Sequence, residues 1–208
     1  RAATMIDLRE NAGQVEKTVN QWFRDEKRLP TALALDGKVL RATLQNEEGG
    51  TAAVSIVSHA NSPFFDQVLT SVAGQEIAGA QELIAGAGKL PGCVLTFDAL
   101  HAVGKTFEMA VVGNQADYLV CVKGNAADLR RTIERVVRHS TGQLQCARTV
   151  DKGHGRIETR DIEMTSTTPA QTDWPHTHTV CRVTRKREVL RRGQTVSTSC
   201  EQVCYVAS

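Results

Sequence analysis

The chain has 208 residues and a mass of 22.6 kDa, room for one good-sized domain with its own core, or for a domain carrying an insertion. Apolar residues make up 41% and charged residues 23%, which excludes a disordered, collagenous or coiled-coil chain; no apolar run reaches the roughly 18 residues of a membrane-spanning helix. A net charge of +2, from 25 basic and 23 acidic residues, points by itself to neither a nucleic-acid nor a membrane partner.

Aromatics are only 4%, so the core has to come from Val, Leu, Ile and Ala. The chain opens on Arg1, without a basic and apolar leader, and reads as a fragment. From Asp7 to Arg28 the spacing predicts a helix, with Val15, Val19 and Trp22 on one stripe and Pro30 as its stop. Leu33, Ala34 and Leu35 then form a short apolar strand that runs into Asp36, Gly37 and Lys38 and resumes at Val39 and Leu40. Ala52 to His59 and Phe64 to Val72 read as two further strands. Glu76 to Ala87 reads as a helix closed by Gly88.

Cys93 to Phe97 is a continuous apolar strand ending at Asp98. Lys105 to Val112 reads as a helix. Tyr118 to Val122 is a second continuous apolar strand, and it ends in Lys123-Gly124-Asn125. Asn125 is placed to cap the next helix, whose buried stripe is Leu129, Ile133, Val136 and Val137. Apolar strands alternating with helices imply a sheet covered on both faces. After Thr141 helical periodicity fades. Val180 to Val189 and Gln202 to Ala207 read as strands, and residues 141–208 as a mainly β appendage.

Six basic residues, Arg182, Arg185, Lys186, Arg187, Arg191 and Arg192, fall close together and are opposed locally only by Glu188. Such a run suits phosphate contacts, or else a solvated strand face. Of the six cysteines, Cys93 and Cys121 read as small buried hydrophobes, and reduced thiols fit a cytosol. A zinc site from Cys181, Cys200, Cys204 and His178 matches no standard spacing.

Two carboxylates stand out. Asp36 interrupts an apolar strand and Asp98 ends one. A carboxylate in an apolar run is costly unless paired, hydrogen-bonded or metal-bound, and in α/β sheets ligands meet the strand ends. Two carboxylates brought together repel, and a divalent cation offsets that repulsion. The pattern therefore suggests Mg²⁺ and phosphoryl chemistry, with capping or turn aspartates as the plainer alternative.

The strings ALALDGKVLRAT, VLTFDALH, ADYLVCVKGN and GHGRIETR occur in this order. Together they resemble the insertion-sequence DDE transposases of the H-repeat-associated (ISAs-type) family, over roughly residues 15–208. The resemblance implies a ribonuclease-H-like mixed sheet flanked by helices, with a mainly β insertion at the C-terminal end. The division expected is an N-terminal helical segment 1–30, a catalytic core 31–140 and a β-rich insertion 141–208.

On this resemblance Asp36 and Asp98 match the first two catalytic acids and would ligate two Mg²⁺ or Mn²⁺ ions. His101 matches the histidine of DALH. Lys123 and Asn125 match KGN and, with Lys38 of DGK, would contact DNA. Glu158 would complete an acidic triad, yet the family's glutamate looks to lie in an HW-x-IEN helix that is not present here; the other reading of Glu158 is a strand residue paired with Arg156 or Arg160. Gly74-Gln75 and Ala102-Val103 also depart from the family pattern. The expectation is a copy truncated at both ends and short of its third acid, with an inactive protein as one outcome.

The function expected is Mg-dependent cleavage and strand transfer at transposon ends. The partner is double-stranded DNA, a homodimer is allowed and no membrane is involved; the place is the bacterial cytoplasm, at the nucleoid. The alternative is a catalytically silent remnant that binds DNA through Arg182, Arg185, Lys186 and Arg187. A third reading, an unrelated α/β metal-dependent phosphatase or nuclease, would need a third acid from Glu158, Asp117 or Glu76.

Overall fold

The computed structural model describes residues 30–40, 51–59, 65–70, 75–140 and 144–208; the helix expected between Asp7 and Arg28 lies outside them. The described chain is α/β. It divides into two compact units, one reaching to Phe97 and including Glu108–Tyr118, the other made of Asp98–Phe107 and Leu119–Ser208.

In the first unit four strands, β1 (Ala32–Leu40), β2 (Thr51–Ser58), β3 (Phe65–Thr70) and β4 (Val94–Phe97), lie in the order β3-β2-β1-β4. The first three are antiparallel, whereas β4 runs parallel to β1. Alternation sorts the side chains. Leu33, Leu35, Val54, Ile56, Leu95 and Phe97 are all buried, while Ala34, Ser55 and Thr96 on the opposite face are only half-buried. β1 does not break at Asp36 as expected. The ladder continues through Asp36, Gly37 and Lys38, which pair with Ser55, Val54 and Ala53. A strand tolerates the charge because Asp36 is exposed.

Helix α1 (Glu76–Gly86) covers the apolar face with Gly79, Ala80, Leu83 and Ile84. Burying Leu83 and Ile84 stabilises the fold by about 1.5–3 kcal/mol each. The Asn114 amide donates to the carbonyls of Ile84 at 2.7 Å and Gly88 at 2.5 Å, satisfying acceptors at the helix end that would otherwise lack partners. Gly79 is where helix and sheet come closest: a Cβ there would stand 3.0 Å from Thr70 Cγ2 and Val68 Cγ1.

The helix expected over Lys105–Val112 is shorter and changes pitch. Helix α2 (Gly104–Glu108) passes into a π-helical turn over Met109–Gly113. There the Asn114 N–H donates to Met109 O at 2.9 Å, a five-residue step. The wider turn delivers the Asn114 side chain to α1.

The second unit holds Leu119–Val122 of strand β5 (Asp117–Val122) and four long strands, β6 (Gln145–Gly153), β7 (Arg156–Ser166), β8 (Thr179–Arg191) and β9 (Gln194–Ala207). The order is β5-β9-β8-β7-β6 and every pairing is antiparallel. Helix α3 (Ala127–His139) lays Leu129, Ile133 and Val137 on the sheet and buries them with Val180, Cys204 and Val206. A one-turn helix, α4 (Pro169–Thr172), stands between β7 and β8.

Strand β8 matches the expected Val180–Val189 to within two residues at either end, whereas β9 begins well before Gln202, and the added stretch is exposed and carries no apolar alternation to read. The β6–β7 hairpin was likewise not foreseen; it turns through His154 at φ 50° and Gly155 at φ 71°, the left-handed pair that a tight hairpin needs. Strand β6 is exposed along its whole length and lies at the sheet's end, pairing only with β7 among the described strands. No helix among the described residues is long and apolar enough to cross a membrane.

Two glycines of α1 should respond with opposite signs. Gly79→Ala gains helix propensity but forces a methyl into contacts near 3.0 Å, so a net loss of about 1 kcal/mol or more is expected in urea unfolding. Gly86→Ala, with nothing within 4 Å of its Cβ position, should gain about 0.5–1 kcal/mol.

Candidate active site

Asp36 sits in the middle of β1 and is exposed. The ladder aligns it with Ser55 of β2, and Ser55 with Gln67 of β3, so three polar side chains form a row on the face away from α1. Lys38 projects from the same face two residues on and is also exposed. Gly37 faces α1: a Cβ there would lie 3.1 Å from Glu76 Cγ. The glycine of the DGK string is thus required by the close passage of the Glu76 stem, and Glu76 lies on the face opposite Asp36. Ser55 and Gln67 were missed because nothing in the sequence shows which residues of β2 and β3 stand beside Asp36.

The parallel register of β1 and β4 pairs Leu35 with Phe97. The next residue along β1 is Asp36; the next after Phe97 is Asp98, where the second unit begins. Asp98 is exposed and caps its own turn. Its Oδ1 accepts from the Leu100 N–H at 2.9 Å, at the head of the 3₁₀ turn Ala99–His101. Ala99 and His101 are buried beneath it, His101 to 1% exposure.

Asn125 does not cap α3, whose N-cap is Ala126 without a side-chain bond. The Asn125 amide instead donates to the Ala99 carbonyl at 2.5 Å. Lys123, two residues earlier, is exposed. The far end of the Asp98–Phe107 segment is also held: Pro175 Cγ stands 3.6 Å from the Cβ position of Gly104, and the rings of Phe107 and Trp174 meet at 5.6 Å and 56°.

Glu158 has a different setting. Its side chain is only 6% exposed. Arg187, its cross-strand partner, donates to Oε2 through Nε at 3.2 Å and Nη2 at 3.1 Å, and Arg160 donates to Oε1. Burial pushes the carboxyl pKa up, but the Arg187 hydrogen bond and the charges of Arg160, Arg187 and Arg185 overcome it and hold the carboxyl below the usual glutamate range. Both oxygens are committed to guanidinium groups. Of the two partners foreseen for a structural Glu158, Arg160 is present, and the second is Arg187 rather than Arg156.

The basic run is also less bare than its sequence suggests. Arg182 pairs with Glu163 at 2.7 Å, Arg185 with Glu201, Lys186 with Glu188 at 3.2 Å and Arg187 with Glu158 at 3.1 Å. The expectation that Glu188 alone opposes this run is corrected: three more acids arrive from β7 and β9 through the sheet register.

The cysteine–histidine zinc set is not assembled. Cys181 aligns with Tyr205 and Arg182 with Cys204, so Cys181 and Cys204 point to opposite faces. All six thiols are free, and burial pushes those of Cys93 and Cys204 up to about 11, which leaves them unreactive. Among the described residues no three His, Cys, Asp or Glu side chains gather into a group that could hold a metal. Asp36 and Asp98 offer hard, exposed oxygen donors, the chemistry that suits Mg²⁺ or Mn²⁺.

What these units present is an α/β protein with one exposed aspartate on a central strand and another directly after the strand paired to it. The affiliation is specific: residues 27–189 match the family described as Transposase DDE domain, and the chain belongs to that family. A Xanthobacter autotrophicus protein named "Uncharacterized protein in dhlA 3'region" is 30% identical over 188 residues, covering 85% of this chain and 59% of its own. Proteins named "Putative transposase YncI" are 28% identical in Escherichia coli O157:H7, over 76% of this chain and 42% of theirs, and 29% identical in strain K12, over 74% and 64%. The chain thus spans about two fifths to two thirds of the length of these relatives. No solved structure matches it.

The Glu158 pairing has a pH signature. A carboxyl whose folded pKa is lowered lends stability that is complete above its unfolded value, near 4.3, and fades as pH falls through the folded value. Glu158→Gln should therefore lower the urea midpoint at pH 7. The gap to the parent protein should narrow steadily below about pH 4.3; a gap constant with pH would show that the charge is not what matters.

Proposed function

We propose that this chain carries the DNA-cutting centre of an insertion-sequence transposase of the H-repeat-associated type, with Asp36 and Asp98 holding divalent cations, Mg²⁺ or Mn²⁺. The observation that carries this reading is the β1–β4 register, Leu35 beside Phe97 with an aspartate next in each chain direction. Family membership supports a ribonuclease-H-like core around residues 31–140, with residues 141–208 as a β-rich insertion and residues 1–30 as a preceding segment. The substrate is double-stranded DNA at the ends of the mobile element and at its target, met at the nucleoid in the bacterial cytoplasm, with a homodimer as the assembly.

The chemistry a bound cation supplies is activation of the attacking oxygen and stabilisation of the leaving one. This chain's own residues do the rest. Asp36 from β1 and Asp98 from the turn that follows β4 supply carboxylate oxygens. Lys38 and Lys123 are exposed cations that meet phosphate oxygens. In the first step water attacks the phosphorus in line and a 3′ oxygen leaves, taking up a proton. In the second, that 3′-hydroxyl attacks a target phosphorus in line: a new phosphodiester forms, the target strand's own 3′ oxygen leaves, and the proton lost by the attacking hydroxyl balances the one the leaving oxygen takes up.

Glu158 is assigned to holding the hairpins together, because using it as a ligand would strip two arginines of their counter-charge. The paired basic run of β8 is assigned the same role and not that of a DNA clamp.

Two measurements test the reading. With supercoiled plasmid and Mn²⁺, Asp36→Ala and Asp98→Ala should each abolish nicking and weaken Mn²⁺ binding in calorimetry, while Glu158→Gln should spare Mn²⁺ binding. Equal Mn²⁺ affinity in the parent and both aspartate variants would overturn it. Charge reversal at Arg185 and Arg187 should leave the slope of log affinity against log salt nearly unchanged. Loss of about 0.9 in slope for each reversed residue would restore the DNA-clamp reading.

A further inference from the structure

We infer that Asn125 is a positioning residue for Asp98, and not a contact to DNA as its place in the KGN string suggests. The inference rests on the proposed role of Asp98 as a cation ligand, and it adds how that carboxylate is aimed. Asp98 is the first residue after an apolar strand, at a point where the chain leaves regular structure. A carboxylate there has two soft torsions and an exposed surface, and left alone it would sample several rotamers.

Four hydrogen bonds and two packing contacts remove that freedom. The Leu100 N–H donates to Oδ1 at 2.9 Å, which restrains the carboxylate through one oxygen and leaves Oδ2 outside that bond. That contact holds only while the 3₁₀ turn stays closed, through His101 N to Asp98 O at 3.3 Å and Ala102 N to Ala99 O at 3.2 Å. The Ala99 carbonyl is the acceptor of the second of these turn bonds, and the Asn125 amide also donates to it from the loop between β5 and α3. Trp174 against Phe107 and Pro175 against Gly104 pin the other end of the same segment.

The chemistry demands an amide. Ala99 O accepts, so the partner has to donate. Aspartate has the shape of asparagine but offers only acceptors when ionised, and it would turn an attraction into a repulsion. Asn125 is exposed as a residue, so replacing it removes little packing and the bond is the main thing lost. The backbone at Lys123 is extended, at φ −121° and ψ −160°, which lets the lysine face solvent while the asparagine two residues later turns inward.

The test compares Asn125→Asp and Asn125→Ala with Asp128→Ala, an exposed neighbour paired only locally with Arg131. Amide hydrogen exchange is read at Leu100, His101 and Ala102, and Mn²⁺-induced line broadening at Asp98, Ala99 and Leu100. Losing one hydrogen bond of about 1 kcal/mol should speed exchange of the turn amides about fivefold in both Asn125 variants and leave it unchanged in Asp128→Ala. The Mn²⁺ concentration for half-broadening should rise by a similar factor, with the thermal midpoint little altered.

Unchanged exchange at the three amides in Asn125→Asp would overturn the inference whatever the metal does. Faster exchange together with Mn²⁺ broadening identical in the parent and in Asp98→Ala would keep the brace and overturn the cation reading of Asp98.

Discussion

The parallel pairing of β1 with β4 is the constraint around which the first unit is arranged. Parallel neighbours cannot be joined by a tight turn, so the chain leaving β1 adds β2 and β3 on the far side and returns through α1 before laying down β4. Leu33, Leu35, Leu95 and Phe97 of the pair are buried, and α1 approaches β2 and β3 closely only because residue 79 has no side chain. The register that results leaves Asp36 and Asp98 each one step beyond a buried aromatic or leucine. Their location follows from packing energies of residues that take no part in any chemistry.

Much of this was legible in the sequence, and the reasons are specific. Continuous apolar runs such as VLTF and YLVCV mark buried strands because few other elements tolerate so many β-branched and aromatic residues in a row. An aspartate directly after such a run is conspicuous, and Asp98 was found that way. Helix α3 was legible from Leu129, Ile133 and Val137 at helical spacing. Asp36 was noticed for a reason that proved incomplete: it does not interrupt β1, because a strand changes face at every residue and can carry a charge on its solvated side without breaking.

What was not legible depends on contacts across long stretches of chain. The run from Arg182 to Arg187 looked nearly unopposed because Glu158, Glu163 and Glu201 are neighbours only through strand register. The first half of β9 and the whole of β6 had no apolar alternation, since both are exposed residue after residue. The inward turn of Asn125 was hidden by a rule that is sound on average, that an asparagine before a helix caps it. Here the N-cap position falls to Ala126, and the Asn125 side chain instead gives an N–H to a carbonyl 26 residues earlier.

Strand β6 has one flank hydrogen-bonded to β7 and, among the described strands, nothing on the other. Its outward main-chain groups form a fringe that another extended polypeptide can match rung for rung. Arg148, Asp151 and Lys152 stud the strand with charges of both signs, the first two paired with Asp161 and Arg160 of β7, and such charges discourage chance pairing. Val150, 53% exposed among them, is the one large apolar side chain this strand leaves to solvent. A charged edge of this kind is a guard against pairing between like molecules, and it is built from residues other than Asp36 and Asp98.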